Sequence, residues 1–225
     1  MDKVSAIILA AGSGSRFGEK KQFKKLNGKP IWVYSLTTFI KSERVDELIL
    51  VVPSNSLEPL KQSQVFTSLN KKNNIKLVSG GESRKDSVLN GLKVVKKVND
   101  IVCIHDAARP FIKTSYIKHS IEACSEFDGS IIAIPAVDTV KKVDNQLIKN
   151  TIDRESLWMA QTPQTFKKDK LLYAIKNSPH LNITDESMLM EEANFKIKLI
   201  EGDYSNFKIT NEIDWELAKV IMEVE

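Results

Sequence analysis

The stretch IILAAGSGSRFGEKKQF, residues 7–23, decides how the chain is read. It begins as an apolar strand (Ile7, Ile8, Leu9), passes through Ala10 and Ala11, and opens into a loop carrying Gly12, Gly14 and Gly18. Arg16, Lys20 and Lys21 stand in or beside that loop. Glycines let a backbone approach a partner closely, and the cations mark that partner as an anion. The loop is not a Walker loop, because no Gly-Lys-Ser or Gly-Lys-Thr closes it. It is not a dinucleotide fingerprint either. Arg16 interrupts the glycine spacing, and the second strand ends LILVVPS, without the acid that would hold a ribose. What remains is a strand feeding a phosphate nest, with Arg16 and Lys21 reaching over the same charge. The plain alternative is a glycine turn that only bends the chain.

Working outward, similar apolar runs recur at 47–53, 75–79, 101–105, 130–135 and 196–200, with a short one at 207–210. Between them lie amphipathic segments at 30–41, 84–98, 115–127, 168–177 and 212–224. The runs are continuous rather than alternating, as expected of strands covered on both faces. Strands and helices in alternation predict an α/β fold: a three-layer, doubly wound, mostly parallel sheet. Ser83 with Asp86, and Asn211 with Asp214, read as helix starts. Residues 138–154 break the pattern. Val140, Val143, Leu147, Ile148 and Ile152 flank Asp144-Asn145, a β-hairpin with too few apolar residues to bury itself. Such an arm packs on something else, and a second subunit is the simplest candidate. The expected organisation is one domain over 1–225 with a β-arm at about 138–154.

Composition narrows the function classes. The 33 basic and 29 acidic residues are interspersed, so the net charge of +4 suits a phosphate pocket better than a nucleic-acid surface. Trp32, Trp158 and Trp215 are scattered and form no stacking platform for RNA. Cys103 and Cys124 lie in apolar surroundings without a CxxC pair, which predicts reduced core residues and a cytoplasmic protein. The start reads as no signal peptide, and no apolar run approaches the ~20 residues of a membrane span.

Four further stretches carry polar groups suited to chemistry. In CIHDAARPF (103–111), Asp106 stands at the carboxyl end of a strand, where open α/β sheets bind ligands. An acid there can bind Mg²⁺ or a sugar hydroxyl, and Arg109 can hold a phosphate; a strand-end ion pair is the alternative for both. His105 reads as a strand-end residue rather than a ligand, having no second His or Cys at metal spacing. In GGESRKDSVLNGL (80–92), Gly80-Gly81 permits a tight turn, while Ser83 and Ser87 supply donors at a helix start. The segments at 153–166, 184–187 and 206–210 add Arg154, Thr162, Thr184 and Lys208, suited to a second phosphate. Lys208 alone could equally be plain surface.

Taken together, LAAGSGSRFG, KQF, GGESRKDSVLNGL, HDAARPF, PAVDTVKKVD, DRESLWMAQTPQTF, TDES and FKIT resemble the 2-C-methyl-D-erythritol 4-phosphate cytidylyltransferases of the non-mevalonate isoprenoid pathway. The resemblance runs from about Ser5 to Ala218. One departure is Lys20, where the family usually has Pro. The resemblance implies joining of methylerythritol 4-phosphate to the α-phosphate of CTP with release of pyrophosphate. It implies Arg16 and Lys21 as transition-state stabilisers, and Arg154 and Lys208 as groups positioning the sugar phosphate. Ala10, Ala11, Gly12, Gly14, Gly81, Ser87 and Asp106 would line the CTP site. Asp106, Arg109, Thr139, Thr162 and Thr184 would complete the sugar-phosphate pocket. Mg²⁺ (or another divalent cation) would be held mainly by CTP phosphates, with Asp106 a possible ligand. The arm would reach across a homodimer, placing Arg154 in the partner's site. The nearest rival is a ribitol 5-phosphate cytidylyltransferase, which shares the loop and the TPQ motif. HDAARP and LWMAQTPQ favour the methylerythritol enzyme.

Overall fold

Two apolar cores, one on each face of a single sheet, explain the continuous runs. In β1 (Val4–Leu9), Ala6 and Ile8 enter one core while Ile7 enters the other. In β4 (Glu47–Val52), Leu48, Leu50 and Val52 oppose Ile49 and Val51 in the same way. Period-two alternation therefore buries every residue of the two strands but Leu9, which is half-buried. Each fully buried Ile or Leu is worth roughly 1.5–3 kcal/mol. The computed structural model describes residues 2–12, 21–178 and 184–224, so Gly14, Arg16, Gly18 and Lys20 lie outside the described residues.

The sheet has seven strands: β11 (Ile197–Glu201), β7 (Gly129–Pro135), β10 (Trp158–Lys167), β6 (Ile101–Asp106), β1, β4 and β5 (Lys76–Ser79), in that order. All neighbours run parallel except β10, which is antiparallel to both β6 and β7. Helices α1 (Ile31–Lys41), α2 (Leu57–Gln62), α3 (Gln64–Asn73) and α5 (Thr114–Glu122) cover one face. Helices α4 (Arg84–Lys93), α6 (Lys168–Asn177) and α7 (Glu186–Glu192) cover the other. The chain leaves β1 over the first face toward β4, then returns from β5 over the second face to β6. Winding thus reverses at β1, and the carboxyl ends of β1 and β6 lie side by side, Leu9 opposite Asp106. A crevice at that reversal is the expected ligand position. A smaller core (Leu26, Ile31, Phe111, Ile209, Trp215, Ala218) seats α8 (Glu212–Val224) against a short ribbon, β2 (Lys25–Leu26) with β3 (Lys29–Pro30).

Several expectations need correction. Residues 207–210 form no strand: the Ile209 amide donates to the Ala108 carbonyl and the segment joins no ladder. The helix expected over 84–98 stops at Lys93, and that over 115–127 gives way to a 3₁₀ turn at Ala123–Ser125. Helices α2, α3 and α7 and strand β10 were not expected. Both helix starts hold. Ser83 and Asp86 form a complete capping box, and Asn211 and Asp214 exchange side-chain bonds with each other's amides. The arm is a hairpin, β8 (Val140–Asp144) with β9 (Leu147–Ile152), turned through Asn145 and Gln146 at positive φ. Val143, Leu147 and Ile148 are exposed on it.

Candidate active site

At the carboxyl ends of β1 and β6 the structure opens a cavity of about 430 Å³, walled by the loop after β1, the start of α4, Asp106 and Lys208. Gln22 shapes the first wall. It lies in the 3₁₀ turn Lys21–Phe23, and its side-chain amide donates to the carbonyls of Ala10 (2.8 Å) and Gly12 (2.7 Å). Both carbonyls are thereby engaged, so neither is left bare to repel an incoming anion. The same turn places Lys21, nearly buried, on the cavity wall.

The second wall needs glycine for space. A Cβ on Gly80 would stand 2.3 Å from the Ala11 Cβ, and one on Gly81 would stand 2.2 Å from the Asp86 Cβ. Only bare backbone lets the β5–α4 turn lie against the β1 loop. Ser87 accepts from the Gly81 amide (3.1 Å) and donates to the Ser83 carbonyl (3.1 Å), holding that turn while lining the cavity.

Charge is concentrated on the floor. Asp106 Oδ2 accepts from Lys208 Nζ at 2.7 Å, and Oδ1 lies 3.5 Å from Arg84 Nε. Burial alone would raise this carboxyl, but Arg84, Lys208 and Arg109 together hold it far below the usual carboxylate range. Arg84 also bonds Glu186 at the start of α7, Nη1 to Oε1 at 2.5 Å. Burial pushes Glu186 upward, and Arg84 opposes it. Beneath the floor, Thr162 Oγ1 accepts from the Asp106 amide (3.1 Å) and meets His105 Nδ1 (3.0 Å). His105 Nε2 faces the Arg109 carbonyl at 3.2 Å. A carbonyl only accepts, so Nε2 carries the proton and the Thr162 hydroxyl donates to Nδ1. Burial lowers the His105 pKa to about 4 and keeps the ring neutral.

The sequence-predicted residues are partly gathered. Ala10, Ala11, Gly12, Lys21, Gly81, Ser87, Asp106 and Lys208 all line the cavity. Arg109 does not: its guanidinium donates to the backbone carbonyls of Asn206 (2.8 Å) and Ala160 (3.5 Å), bracing the floor rather than facing a phosphate. Thr162 acts from below. Thr139, Arg154 and Thr184 are exposed and off the cavity; Arg154 donates to the Val137 carbonyl at the root of the hairpin. Gly14 and Arg16 lie outside the described residues. Gln22, Arg84, Gln164 and Glu186 were missed. Gln164 Oε1 accepts the amides of Glu186 (3.1 Å) and Ser187 (3.2 Å), fixing α7 against β10. The one signal for Arg84 was its place as the first residue of a capped helix beside a double glycine.

Among the described residues no cluster of His, Cys, Asp or Glu could hold a metal ion, and both oxygens of Asp106 face cations. The residues present do not fit a divalent cation held by protein ligands alone. No described helix is long and apolar enough to cross a membrane.

The family model "IspD: 2-C-methyl-D-erythritol 4-phosphate cytidylyltransferase" matches residues 4–224. A protein of that name from Clostridium acetobutylicum is 40% identical over 223 residues, covering 96% of each chain. The bifunctional enzyme IspD/IspF of Desulfotalea psychrophila is 39% identical over 221 residues, 97% of this chain but 56% of that one. The crystal structure of a 4-diphosphocytidyl-2C-methyl-D-erythritol synthase from Anaerococcus prevotii superposes with a TM-score of 0.85 at 30% identity, covering 99% of both. The chain belongs to the 2-C-methyl-D-erythritol 4-phosphate cytidylyltransferase family, nucleotidyltransferases of Rossmann-like fold.

Proposed function

We propose that the cavity beside β1 and β6 binds CTP, and that Lys208 positions methylerythritol 4-phosphate for attack on it. The observation that carries this is a cavity lined by Lys21, Arg84 and Lys208 in which, among the described residues, no Ser, Cys or His is set up as nucleophile or base. That suits a reaction whose nucleophile is already an anion. A phosphate oxygen of the sugar bonds to the α-phosphorus, and the bond to the bridging oxygen breaks, releasing pyrophosphate. No proton need move. The protein's part is to hold two anions in line and offset the charge that grows on the leaving group. Lys21 and Arg16 are assigned to that charge, Lys208 and Arg154 to the sugar phosphate. Ala10, Ala11, Gly12, Gly14, Gly81 and Ser87 are assigned to CTP, with Asp106 at the boundary of both substrates. Thr139, Thr162, Thr184 and Arg109 are assigned to the sugar-phosphate side, Thr162 and Arg109 through the floor. A divalent cation would enter on the triphosphate.

Arg154 and Thr139 are off the cavity within one chain, and the hairpin between them exposes Val143, Leu147 and Ile148. Both facts support a homodimer in which the arm delivers Arg154 to the partner's site, each chain acting as a single catalytic domain in the cytoplasm. The test is pyrophosphate release with CTP and either methylerythritol 4-phosphate or ribitol 5-phosphate, for wild type and Lys208→Ala. Turnover should require the methylerythritol substrate, and Lys208→Ala should raise its KM far more than that of CTP. Preference for ribitol 5-phosphate would refute the assignment.

A further inference from the structure

Glu186, Arg84, Asp106 and Lys208 form a row of alternating charge from α7 to the cavity floor. Arg84 is shared unequally, at 2.5 Å from Glu186 and 3.5 Å from Asp106, while Lys208 holds Asp106 at 2.7 Å. A lysine that is to meet a substrate phosphate is here committed to a carboxylate. How firmly depends on how much of the Asp106 charge Arg84 takes up.

Glu186 controls that share. Its carboxylate is 2% exposed, Arg84 is the cation that opposes its burial, and its Oε2 has no hydrogen-bond partner. The side chain is not what holds α7. Asp185 caps the helix by accepting from the Met188 amide, and Gln164 takes the amides of Glu186 and Ser187. A buried acid whose helix is already capped and fixed by other groups, aimed at a cavity-lining arginine, has room for a role at the cavity.

We propose that Glu186 is a positioning residue which, by drawing Arg84 away from Asp106, keeps Lys208 docked on Asp106 until the sugar phosphate takes it over. This rests on the assignment of Lys208 to the sugar phosphate. The sign of the effect is unusual. Neutralising Glu186 lets Arg84 close on Asp106, loosens Lys208 and makes it more available. Sugar-phosphate binding should therefore tighten, where damage to the fold would weaken it. Simple removal of a negative charge would tighten both anionic substrates alike, and would do so with or without Lys208.

KM and kcat for both substrates, measured in Glu186→Gln, Glu186→Asp, Lys208→Ala and the Glu186→Gln/Lys208→Ala double variant, separate these cases. Glu186→Gln should lower KM for methylerythritol 4-phosphate about three- to fivefold, the scale of a partly exposed ion pair, and leave KM for CTP within about twofold. Glu186→Asp, which keeps the charge, should behave as wild type. In the Lys208→Ala background the Glu186→Gln effect should vanish. If Glu186→Gln folds poorly, Arg84→Met/Glu186→Gln removes the pair without stranding a buried charge. Lys208 is then held harder, and the sugar-phosphate KM must rise above wild type. A normal sugar-phosphate KM in Lys208→Ala overturns the assignment of Lys208 and the proposal with it. A raised KM there, with no fall in Glu186→Gln, or a fall that persists without Lys208, overturns the proposal alone.

Discussion

Lys21 and His105 show what single side chains do at this site. Lys21 is nearly buried on the cavity wall in a short 3₁₀ turn, so its charge acts in a low-dielectric setting. Lys21→Ala should lower kcat by about 10²–10³, typical for loss of one group aimed at developing charge. A rate within threefold of wild type, with CTP binding intact, would refute its role. His105 makes a different claim. Burial depresses its folded pKa to about 4, below the ~6.5 of an unfolded histidine, so the unfolded chain takes up the proton first. Its contribution to stability is complete above about pH 6.5 and is lost as pH falls toward 4. Urea unfolding of wild type should show that decline, and His105→Asn should flatten it. Equal slopes would show that the ring titrates normally. Neither His105 nor Arg84 had a legible role in the sequence. Lys208 meets Asp106 across 102 residues, and Arg84 meets Glu186 across the same span, so spacing along the chain carries no trace of either pair.

At the scale of elements, legibility followed hydrophobic continuity. Strands such as β1 and β4 are apolar but for Ser5 and Glu47 near their amino ends, because helices cover both faces, and they stand where the runs placed them. Strand β10 escaped notice because WMAQTPQTFK mixes polar residues with a proline. It tolerates them through an irregularity: Ala160 pairs with Ala133 but Gln164 with Ile131, so residues 161–163 bulge from the ladder. That bulge carries Thr162 to the underside of Asp106. Residues 207–210 had the reverse history, apolar enough for a strand yet positioned where no ladder accepts them. The hairpin invites a test of its own. Leu147 and Ile148 are 68% and 66% exposed in the single chain, so Leu147→Asp/Ile148→Asp should leave the melting temperature of an isolated subunit almost unchanged. If the arm joins two subunits, sedimentation should report monomers and activity should fall at least tenfold. A variant that remains dimeric would show that the arm is not the interface.

Across the whole molecule, polar groups collect at opposite ends of the sheet. The carboxyl ends carry the cavity. At the amino ends, Glu47 is buried, accepts from Ser5 (2.6 Å), the Lys96 amide (3.0 Å) and Asn99 (3.3 Å), and forms an ion pair with Lys76 (2.7 Å). This cluster ties β1, β4, β5 and the loop before β6 together. Glu47→Ala strands several of those donors and should cost about 2–4 kcal/mol in denaturant unfolding. Because the cavity lies at the far end, KM for both substrates should stay within twofold well below the melting temperature. A large KM change would show that the two ends are coupled.

The carboxylate of Asp106 also has a meaning for the protein at rest. With Arg84, Lys208 and Arg109 around it, it serves as a resident counter-ion, quenching the mutual repulsion of the cations gathered there. Asp106 and Glu186 face Arg84, Lys208, Arg109 and Lys21, so the quenching is incomplete and dissolved anions become stabilisers. Pyrophosphate at about a hundred times its Kd should add about 2.7 kcal/mol, or roughly 5–10 °C in Tm. Chloride at matched ionic strength should add much less. Asp106→Asn should make the dependence steeper, because one of the resident anions is gone and the solute must supply more of the counter-charge. A Tm indifferent to pyrophosphate in both proteins would rule out that picture. On this view the choice of storage buffer, sulfate or phosphate against chloride, sets the shelf life of the enzyme.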